Sequence, residues 1–242
     1  MTSDKPGAAA RTREVLRFTA NELAQHWVLM ITLIVLALTG FGLLFYETWL
    51  GKLLISLEGG MEARGAIHRF SAIVLMVVVA WHFFYVVFTD RGHRQLMELK
   101  VRWKDVSDFG KLMGYYVGVR PEPPEFGRFT PMQKLQYWGA GLGSLLMIAT
   151  GLALWFHTQT MAILPKWFID VTAIVHGYEG LILFVLLFGW HFYIVHLSPG
   201  NFPMQRTFLD GKISLERQWN EHRAEYRNEH GDTPPAGSGD DA

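Results

Sequence analysis

Four histidines are spaced so that each of two apolar segments carries a pair of them on roughly one helical face. His68 and His82 lie 14 residues apart in one segment, and His176 and His191 lie 15 residues apart in another. At roughly 100° per residue, these spacings return to within about 40° and about 60° of the starting direction. The two imidazoles of each segment then lie about 21 to 22 Å apart along the helix axis. Two such helices packed together are a common way to clamp two haems, one near each membrane surface.

Four segments are long and apolar enough to span about 30 Å of hydrocarbon. They are Ala24–Tyr46, Ala66–Phe88, Leu135–Phe156 and Val171–Leu197. A soluble core would not place its apolar residues in runs of about 20. The predicted fold class is therefore an all-α integral membrane protein, a four-transmembrane-helix bundle.

The chain of 242 residues contains no cysteine, which excludes thiolate-held iron–sulfur clusters and covalent haem attachment through Cys-x-x-Cys-His. Ionisable residues inside a membrane are rare because their desolvation is costly, so a set of histidines there requires partners. Neutral imidazole is a good axial ligand for haem iron. Zinc prefers three or four ligands close together, and two groups about 20 Å apart do not suit one zinc ion. The histidines therefore predict non-covalent b-type haem.

The chain also reads as two copies of one helical hairpin. Short motifs recur at matched positions in the two halves: Arg17-Phe18-Thr19 with Arg128-Phe129-Thr130, Thr39-Gly40 with Thr150-Gly151, His68 with His176, and Trp81-His82 with Trp190-His191. Two related hairpins usually pack about a pseudo-two-fold axis, which here would set span two against span four. The repeat is broken where Tyr137 in the second copy replaces His26 of the first. We expect an N-terminal arm over residues 1–20, a dihaem domain over 21–225 with a middle loop over 90–131, and a disordered tail over 226–242.

Lysine and arginine are concentrated in three polar segments. The N-terminal arm has four, the segment between spans two and three has nine, and the C-terminal tail has five, whereas the two remaining connections share four. Because positively charged loops stay on the cytoplasmic side, both termini and the middle loop are predicted to be cytoplasmic in a multi-pass protein of the bacterial inner membrane. His68 and His176 then lie near the outer surface, and His26, His82 and His191 lie nearer the cytoplasm.

These motifs resemble those of a known family, the cytochrome b subunits of respiratory formate dehydrogenases, with the cytochrome b subunits of nickel–iron hydrogenases and the bacterial cytochrome b561 group similar to them. The motifs that carry the resemblance are Arg17-Phe18-Thr19, His26-Trp27, Leu38-Thr39-Gly40, Ile67-His68-Arg69-Phe70, Val175-His176-Gly177-Tyr178-Glu179, and the tail from Gly211-Lys212-Ile213-Ser214 to Glu221-His222. The resemblance implies a dihaem cytochrome b that exchanges electrons with quinone, either menaquinone or ubiquinone. It also implies a redox partner subunit, either an iron–sulfur protein or a multihaem cytochrome c, and no nucleic-acid partner.

The resemblance implies that His68 and His176 bind the outer haem and that His26 and His191 bind the inner haem. Internal symmetry instead pairs His82 with His191, and a third haem would follow if both His26 and His82 bind. Arg69, which follows His68 at the outer surface, is a candidate partner for haem propionates. A quinone pocket is expected near the inner haem, and no catalytic residue is assigned.

Two other functions are compatible with the sequence. One is a self-contained quinone oxidoreductase of the cytochrome b561 kind. The other is a non-haem metal or proton transporter that uses the histidines as ion ligands. An absorption spectrum separates the second, because only a haem protein gives the sharp band of a reduced b-type cytochrome.

Overall fold

The computed structural model describes residues 13–198 and 201–235. Its helices are α1 (Ala20–Leu44), α2 (Trp49–Leu57), α3 (Met61–Phe88), α4 (Asp90–Leu99), α5 (Trp103–Tyr116), α6 (Pro131–Trp155), α7 (His157–Ile163), α8 (Lys166–Phe184), α9 (Thr207–Asp210), α10 (Leu215–Glu221) and α11 (Arg223–His230). Helix α8 continues directly as the π-helical segments Val185–His191 and Tyr193–Leu197. Two short strands complete the described structure, β1 (Glu14–Leu16) and β2 (Lys212–Ser214).

Four helices are long and apolar enough to cross a membrane, namely α1, α3, α6 and α8 with its π-helical continuation to Leu197. A helix satisfies its backbone hydrogen bonds within one segment, which is why apolar stretches of this length adopt it in lipid. The prediction of an all-α, four-span membrane protein is confirmed. The helices extend beyond the predicted spans, since α1 begins at Ala20 and α3 begins at Met61.

The chain divides into two compact units. The first, the membrane unit, comprises residues 21–100 and 134–205. Ring and hydrogen-bond contacts define its packing: α1 contacts α8 through Phe41 and Phe184, whose ring centroids are 4.9 Å apart, and α6 contacts α8 through Thr150 and His176. Both α1 and α6 also contact α3. The four spans therefore form a bundle in which α3 and α8 meet at its centre through His68 and His176.

Polar side chains are turned inward in the membrane unit, and most large apolar side chains are turned outward. The buried polar residues on the spans include Gln25, Thr32, Thr39, Ser71, Ser144 and Thr172. Apolar residues such as Phe70, Leu142 and Ile182 are more than half exposed. Small and hydroxylated residues between helices with apolar residues facing outward are typical of a bundle that packs in lipid.

The second unit, the terminal unit, contains the described residues of 13–20, 101–133 and 206–235. Strand β1 pairs antiparallel with β2, with Val15 opposite Ile213. Gly211 has a φ of 73°, which ends α9 in the left-handed region that glycine adopts without strain. Its carbonyl accepts from the backbone amides of Arg17 and Phe18. The segment before the first span is therefore attached to the C-terminal part of the chain.

Two segments differ from their sequence-based boundaries. Helix α11 reaches His230, so five residues of the segment predicted to be disordered are helical, because Tyr226 is buried and its ring packs against Trp219 at 5.2 Å. The predicted middle loop contains two helices, α4 and α5. Residues 1–12 of the predicted N-terminal arm and 236–242 of the predicted tail lie outside the described residues.

Candidate functional site

The structure brings His68 of α3 and His176 of α8 together. Their ring centroids are 6.4 Å apart and the rings are inclined at 71°. Imidazole nitrogens bind first-row metals at about 2 Å, so two imidazoles on opposite faces of one metal have ring centres about 6 Å apart. This pair, named the outer pair after its predicted position, is therefore spaced so that both imidazoles could bind one haem iron.

Two threonines of the repeat orient this outer pair. The Thr39 hydroxyl donates to the carbonyl of Val35 at 2.7 Å and lies 2.8 Å from Nδ1 of His68. Because a hydroxyl has one proton to donate, it accepts from Nδ1–H of the imidazole. Nε2 of His68 is then the nitrogen with a free lone pair, as a metal ligand requires.

Thr150 repeats this arrangement in the second hairpin. Its hydroxyl donates to the carbonyl of Leu146 at 2.7 Å and accepts from Nδ1–H of His176 at 2.9 Å. Both outer histidines thus carry the same tautomer, with Nε2 available. Each faces a glycine as well: a Cβ added at Gly40 would lie 3.8 Å from Cε1 of His68, and one added at Gly151 would lie 3.2 Å from Cε1 of His176.

A second pair is formed by His26 of α1 and His191 of the π-helical segment. Their ring centroids are 6.5 Å apart and the rings are inclined at 54°. The distance matches that of the outer pair and fits the same pair of axial positions. The structure therefore places His26, rather than His82, opposite His191.

The π-helical segment accounts for the unequal spacing of the histidines. An i→i+5 hydrogen-bond pattern accommodates one additional residue in a turn. The 15 residues from His176 to His191 include this segment, whereas the 14 residues from His68 to His82 are entirely α-helical. The additional residue in span four is absorbed by the wider turn, so the two spacings present their histidines in equivalent directions.

His82 is held between two side chains from other helices. Its Nδ1 lies 2.8 Å from Oε1 of Gln25, and its Nε2 lies 2.9 Å from the hydroxyl of Tyr137. The Gln25 oxygen accepts from Nδ1–H, so Nε2 accepts from the Tyr137 hydroxyl. Both ring nitrogens of His82 are therefore occupied by protein groups.

Two arginines lie near the beginning of α3, on the side of the outer pair. Arg64 donates from Nη1 to the carbonyl of Thr39 at 2.8 Å, and its buried Nε has no partner within the described part of the chain. The guanidinium of Arg69 lies 6.0 Å from the ring centre of Trp155. Arg64 is thus connected to His68 through Thr39, and Arg69 lies against an aromatic ring of α6.

Four of the described histidines form two pairs, and no larger cluster is found among the described residues. Among residues 13–198 and 201–235, no group of three or more histidine, aspartate or glutamate side chains lies close enough to hold a metal ion. A bis-histidine haem needs two protein ligands, whereas a structural zinc site needs about four. The geometry suits haem.

Sequence reasoning did not identify the roles of Thr39, Thr150 or Gln25. The threonines had a signal, because they recur at the repeat offset of 111, but only the helix rotation shows that their hydroxyls meet imidazoles. Gln25 also recurs, as Gln136, and each is followed by the residue that distinguishes the two halves, His26 or Tyr137.

Comparisons with known proteins support the predicted resemblance. The sequence profile of the family described as prokaryotic cytochrome b561 matches residues 96–201, a stretch that contains His176 and His191. The cytochrome b556(fdo) subunit of formate dehydrogenase from Escherichia coli K12 is 25% identical over 146 residues, which are 60% of this chain and 62% of that protein. The chain therefore matches less than two thirds of that subunit's length.

Two further relatives match along most of their length. The formate dehydrogenase cytochrome b556 subunit of Haemophilus influenzae is 22% identical over 221 residues, covering 89% of this chain and 83% of that protein. The nitrate-inducible cytochrome b556(Fdn) subunit of E. coli K12 is 21% identical over 213 residues, covering 87% and 88%. The resemblance stated from the motifs is confirmed, and with the four apolar helices it indicates a multi-pass bacterial membrane protein.

Proposed function

We propose that this chain, a cytochrome b of the kind found in respiratory oxidoreductases, binds two b-type haems and carries electrons across the membrane between the quinone pool and a partner redox subunit. The observation that carries the proposal is the presence of two facing histidine pairs, His68 with His176 and His26 with His191, with ring centroids 6.4 and 6.5 Å apart. The two pairs are separated along span four by the 15 residues from His176 to His191, which corresponds to about 20 Å of helix.

The protein's own residues orient the two histidines of the outer pair as iron ligands. Thr39 and Thr150 accept from Nδ1–H of the outer histidines and so leave Nε2 of each free to bind iron. Arg64 is half-buried, and its positive charge and the Nε–H that has no partner within the described residues would suit a haem propionate on the side of the outer pair. When bound, each haem supplies a one-electron carrier, and the chain sets its position and surroundings.

The proposal includes a partner and a substrate beyond the haems. The relatives are named as cytochrome subunits of formate dehydrogenases, which supports a role as the membrane subunit of a larger complex. The partner is proposed to be an iron–sulfur or multihaem cytochrome c subunit that meets the outer side. Quinone is proposed to react near the inner pair, with both termini and the middle loop in the cytoplasm, as the distribution of lysine and arginine favours.

One observation favours a second candidate, a self-contained quinone oxidoreductase. The matched family profile is that of prokaryotic cytochrome b561. Purification from native membranes in a mild detergent distinguishes the two candidates. A membrane subunit is expected to co-purify with a redox partner in a fixed ratio, whereas a self-contained enzyme is expected to purify alone and to oxidise or reduce a short-chain quinol without added protein.

Haem content of the purified chain tests the central proposal. We expect a pyridine haemochrome assay to give about two haems per chain, and a redox titration to show two one-electron components. Alanine at His68 or His176 is expected to remove one component and leave the other. A chain that folds and carries no haem after expression with adequate haem supply would contradict the proposal and favour the ion-transporter interpretation.

A further inference from the structure

The two hairpins of the repeat differ at the position of one inner haem ligand, which is His26 in the first and Tyr137 in the second. The repeat aligns Gln25-His26-Trp27 of α1 with Gln136-Tyr137-Trp138 of α6, both offset by 111. It also aligns His191 with His82, each of which follows a tryptophan. The counterpart of the His26–His191 pair is therefore the pair formed by Tyr137 and His82.

The structure brings this counterpart pair together just as it brings together the inner histidines. The ring centroids of His82 and Tyr137 are 5.8 Å apart, against 6.5 Å for His26 and His191. The inclinations of the rings are also similar, 60° and 54°. The outer pair has no separate counterpart. The repeat aligns His68 with His176, so the two members of that pair are each other's equivalents.

The hydrogen bonds of His82 show how this second position is closed. The oxygen of Gln25, a residue that is only 6% exposed, accepts from Nδ1–H of His82. Nε2 of His82 is thereby in the state that an axial ligand requires, and the Tyr137 hydroxyl donates to it at 2.9 Å. The phenol proton thus occupies the lone pair that would otherwise face a metal.

The polar surroundings are retained at both inner positions. The side-chain amide nitrogens of Gln25 and Gln136 are both buried and have no hydrogen-bond partner within the described residues. Buried donors are ordinarily paired. The two halves thus share an unsatisfied glutamine N–H donor, and in both a glutamine and a tryptophan flank the position that is His26 or Tyr137. The ligand position itself is where they differ.

We infer that His82 and Tyr137 form a second inner haem position that Tyr137 keeps closed, so that Tyr137 determines that the inner side carries one haem instead of two. The ligand that the opened position would take is a b-type haem held by two imidazoles. This inference rests on the proposed haem function. It assigns to Tyr137 control over the number of cofactors, and to His82 the role of a ligand-competent residue that binds no iron in the native chain.

Restoring the missing imidazole tests the inference. In Tyr137→His, both halves carry Gln-His-Trp, and haem content is expected to rise about 1.5-fold, from two to three per chain, with an additional low-spin bis-histidine signal in electron paramagnetic resonance. Tyr137→Phe removes the hydroxyl without supplying a ligand and is expected to keep two low-spin haems. The double variant Tyr137→His with His82→Ala is expected to return the content to two, which identifies His82 as the second ligand.

A second variant keeps the test informative if Tyr137→His folds poorly. Tyr137→Ala leaves a space opposite His82 that added imidazole can enter, so a third low-spin haem is expected to appear as imidazole and haemin are titrated. The wild-type protein under the same titration is expected to stay at two. Wild-type content of three, or a folded Tyr137→His and an imidazole-treated Tyr137→Ala that both hold two, would overturn the inference. A wild-type chain without haem would instead overturn the proposed function.

Discussion

Arg17 and Arg128 hold each other through reciprocal hydrogen bonds in the terminal unit. Nη2 of Arg17 donates to the carbonyl of Arg128 at 2.5 Å, and Nη2 of Arg128 donates to the carbonyl of Arg17 at 2.6 Å. Glu225 of α11 accepts from Nη1 of both, at 3.0 and 2.9 Å. The two arginines are equivalent residues of the repeat, so one carboxylate from the C-terminal segment joins the segments that precede the first and third spans.

Removing the charge of Glu225 should therefore destabilise the terminal unit. Burial lowers the pKa of the Arg17 guanidinium and Glu225 opposes that shift, so Glu225→Gln leaves a buried cation without its counter-ion. Breaking a buried ion pair in this way costs about 3–5 kcal/mol. The loss is measured as faster hydrogen–deuterium exchange in peptides that cover α10, α11 and residues 122–130.

Glu125→Gln is the matched control for that experiment. Glu125 pairs with Arg227 at 2.7 Å in the same unit, but both side chains are well exposed to solvent. Exposed ion pairs contribute about 0 to 1 kcal/mol, so this variant should exchange almost as the wild type does. Equal effects of Glu225→Gln and Glu125→Gln would contradict the assignment of Glu225 as the joining residue.

The terminal unit should also loosen in acid because of His222. Its Nδ1–H donates to the carbonyl of Gly127 at 2.8 Å, and its Nε2 accepts from Arg17 at 3.2 Å. Burial, followed by the charge of Arg17, lowers the pKa of His222 to about 4. A histidine in the unfolded chain has a pKa of about 6.5. Between about pH 4 and about pH 6.5 the unfolded state therefore binds more protons than the folded state. Stability is then complete above about pH 6.5 and is lost as the pH falls toward about 4.

His222→Gln checks this pH dependence. Glutamine retains a donor and an acceptor but does not titrate, so the variant should lack the part of the acid loosening that lies between about pH 6.5 and about pH 4. The measurement is hydrogen–deuterium exchange of the same peptides across this range, corrected for the intrinsic exchange rate at each pH. A variant whose exchange follows the wild-type pH profile would show that another group controls the transition.

The threonines should matter for the outer haem through their hydroxyls. Thr39→Val and Thr150→Val keep the side-chain shape but remove the acceptor for Nδ1–H of the histidine. Loss of such an orienting partner lowers metal affinity by about 10–100-fold. Serine at either position retains the hydroxyl and should bind haem nearly as the wild type does. Haem retention of the outer component during detergent dilution measures the difference, and indistinguishable valine and serine variants would exclude the orienting role.

Much of this arrangement is predictable from sequence because it follows from helix geometry. The apolar runs predict the four spans, and the spacing of His68 from His82 predicts that one face carries both. That spacing gives no information on which partner each histidine meets. Sequence symmetry pairs His82 with His191, whereas in the structure Tyr137 lies opposite His82 and His26 lies opposite His191.

The remaining features depend on contacts between distant segments. The π-helical segment is signalled only by a spacing of 15 where the other span has 14, and the arrangement of Arg17, Arg128 and Glu225 joins residues up to 208 positions apart. The distribution of lysine and arginine in the sequence shows where positive charge lies, but it does not show which carboxylate each cation pairs with. Such contacts follow from tertiary packing, which local periodicity does not describe.

Two equivalent glycines should respond differently to alanine. A Cβ at Gly151 would lie 3.2 Å from Cε1 of His176, whereas a Cβ at Gly40 would lie 3.8 Å from Cε1 of His68. The first distance is tighter than ordinary carbon–carbon contact, which begins at about 3.5 Å. Gly151→Ala should therefore displace the imidazole and change the g values of the outer haem, and Gly40→Ala should leave them nearly unchanged. Identical spectra for the two variants would show that the two glycines are equally close to their histidines.

The inner haem provides the sharpest test, because symmetry and structure give different ligands. His26→Ala removes one of the two imidazoles that face each other at 6.5 Å, so the inner low-spin signal should convert to high-spin or disappear. His82→Ala removes a residue whose two ring nitrogens are bonded to Gln25 and Tyr137. The His82→Ala variant should keep two low-spin haems and lose about 1–3 kcal/mol of stability, since a buried donor or acceptor is left unsatisfied.

Electron paramagnetic resonance with haem quantification on both variants, with His68→Ala as the control for the outer site, distinguishes His26 from His82 as the inner ligand. Loss of the inner signal in His82→Ala with its retention in His26→Ala would restore the pairing that symmetry predicts.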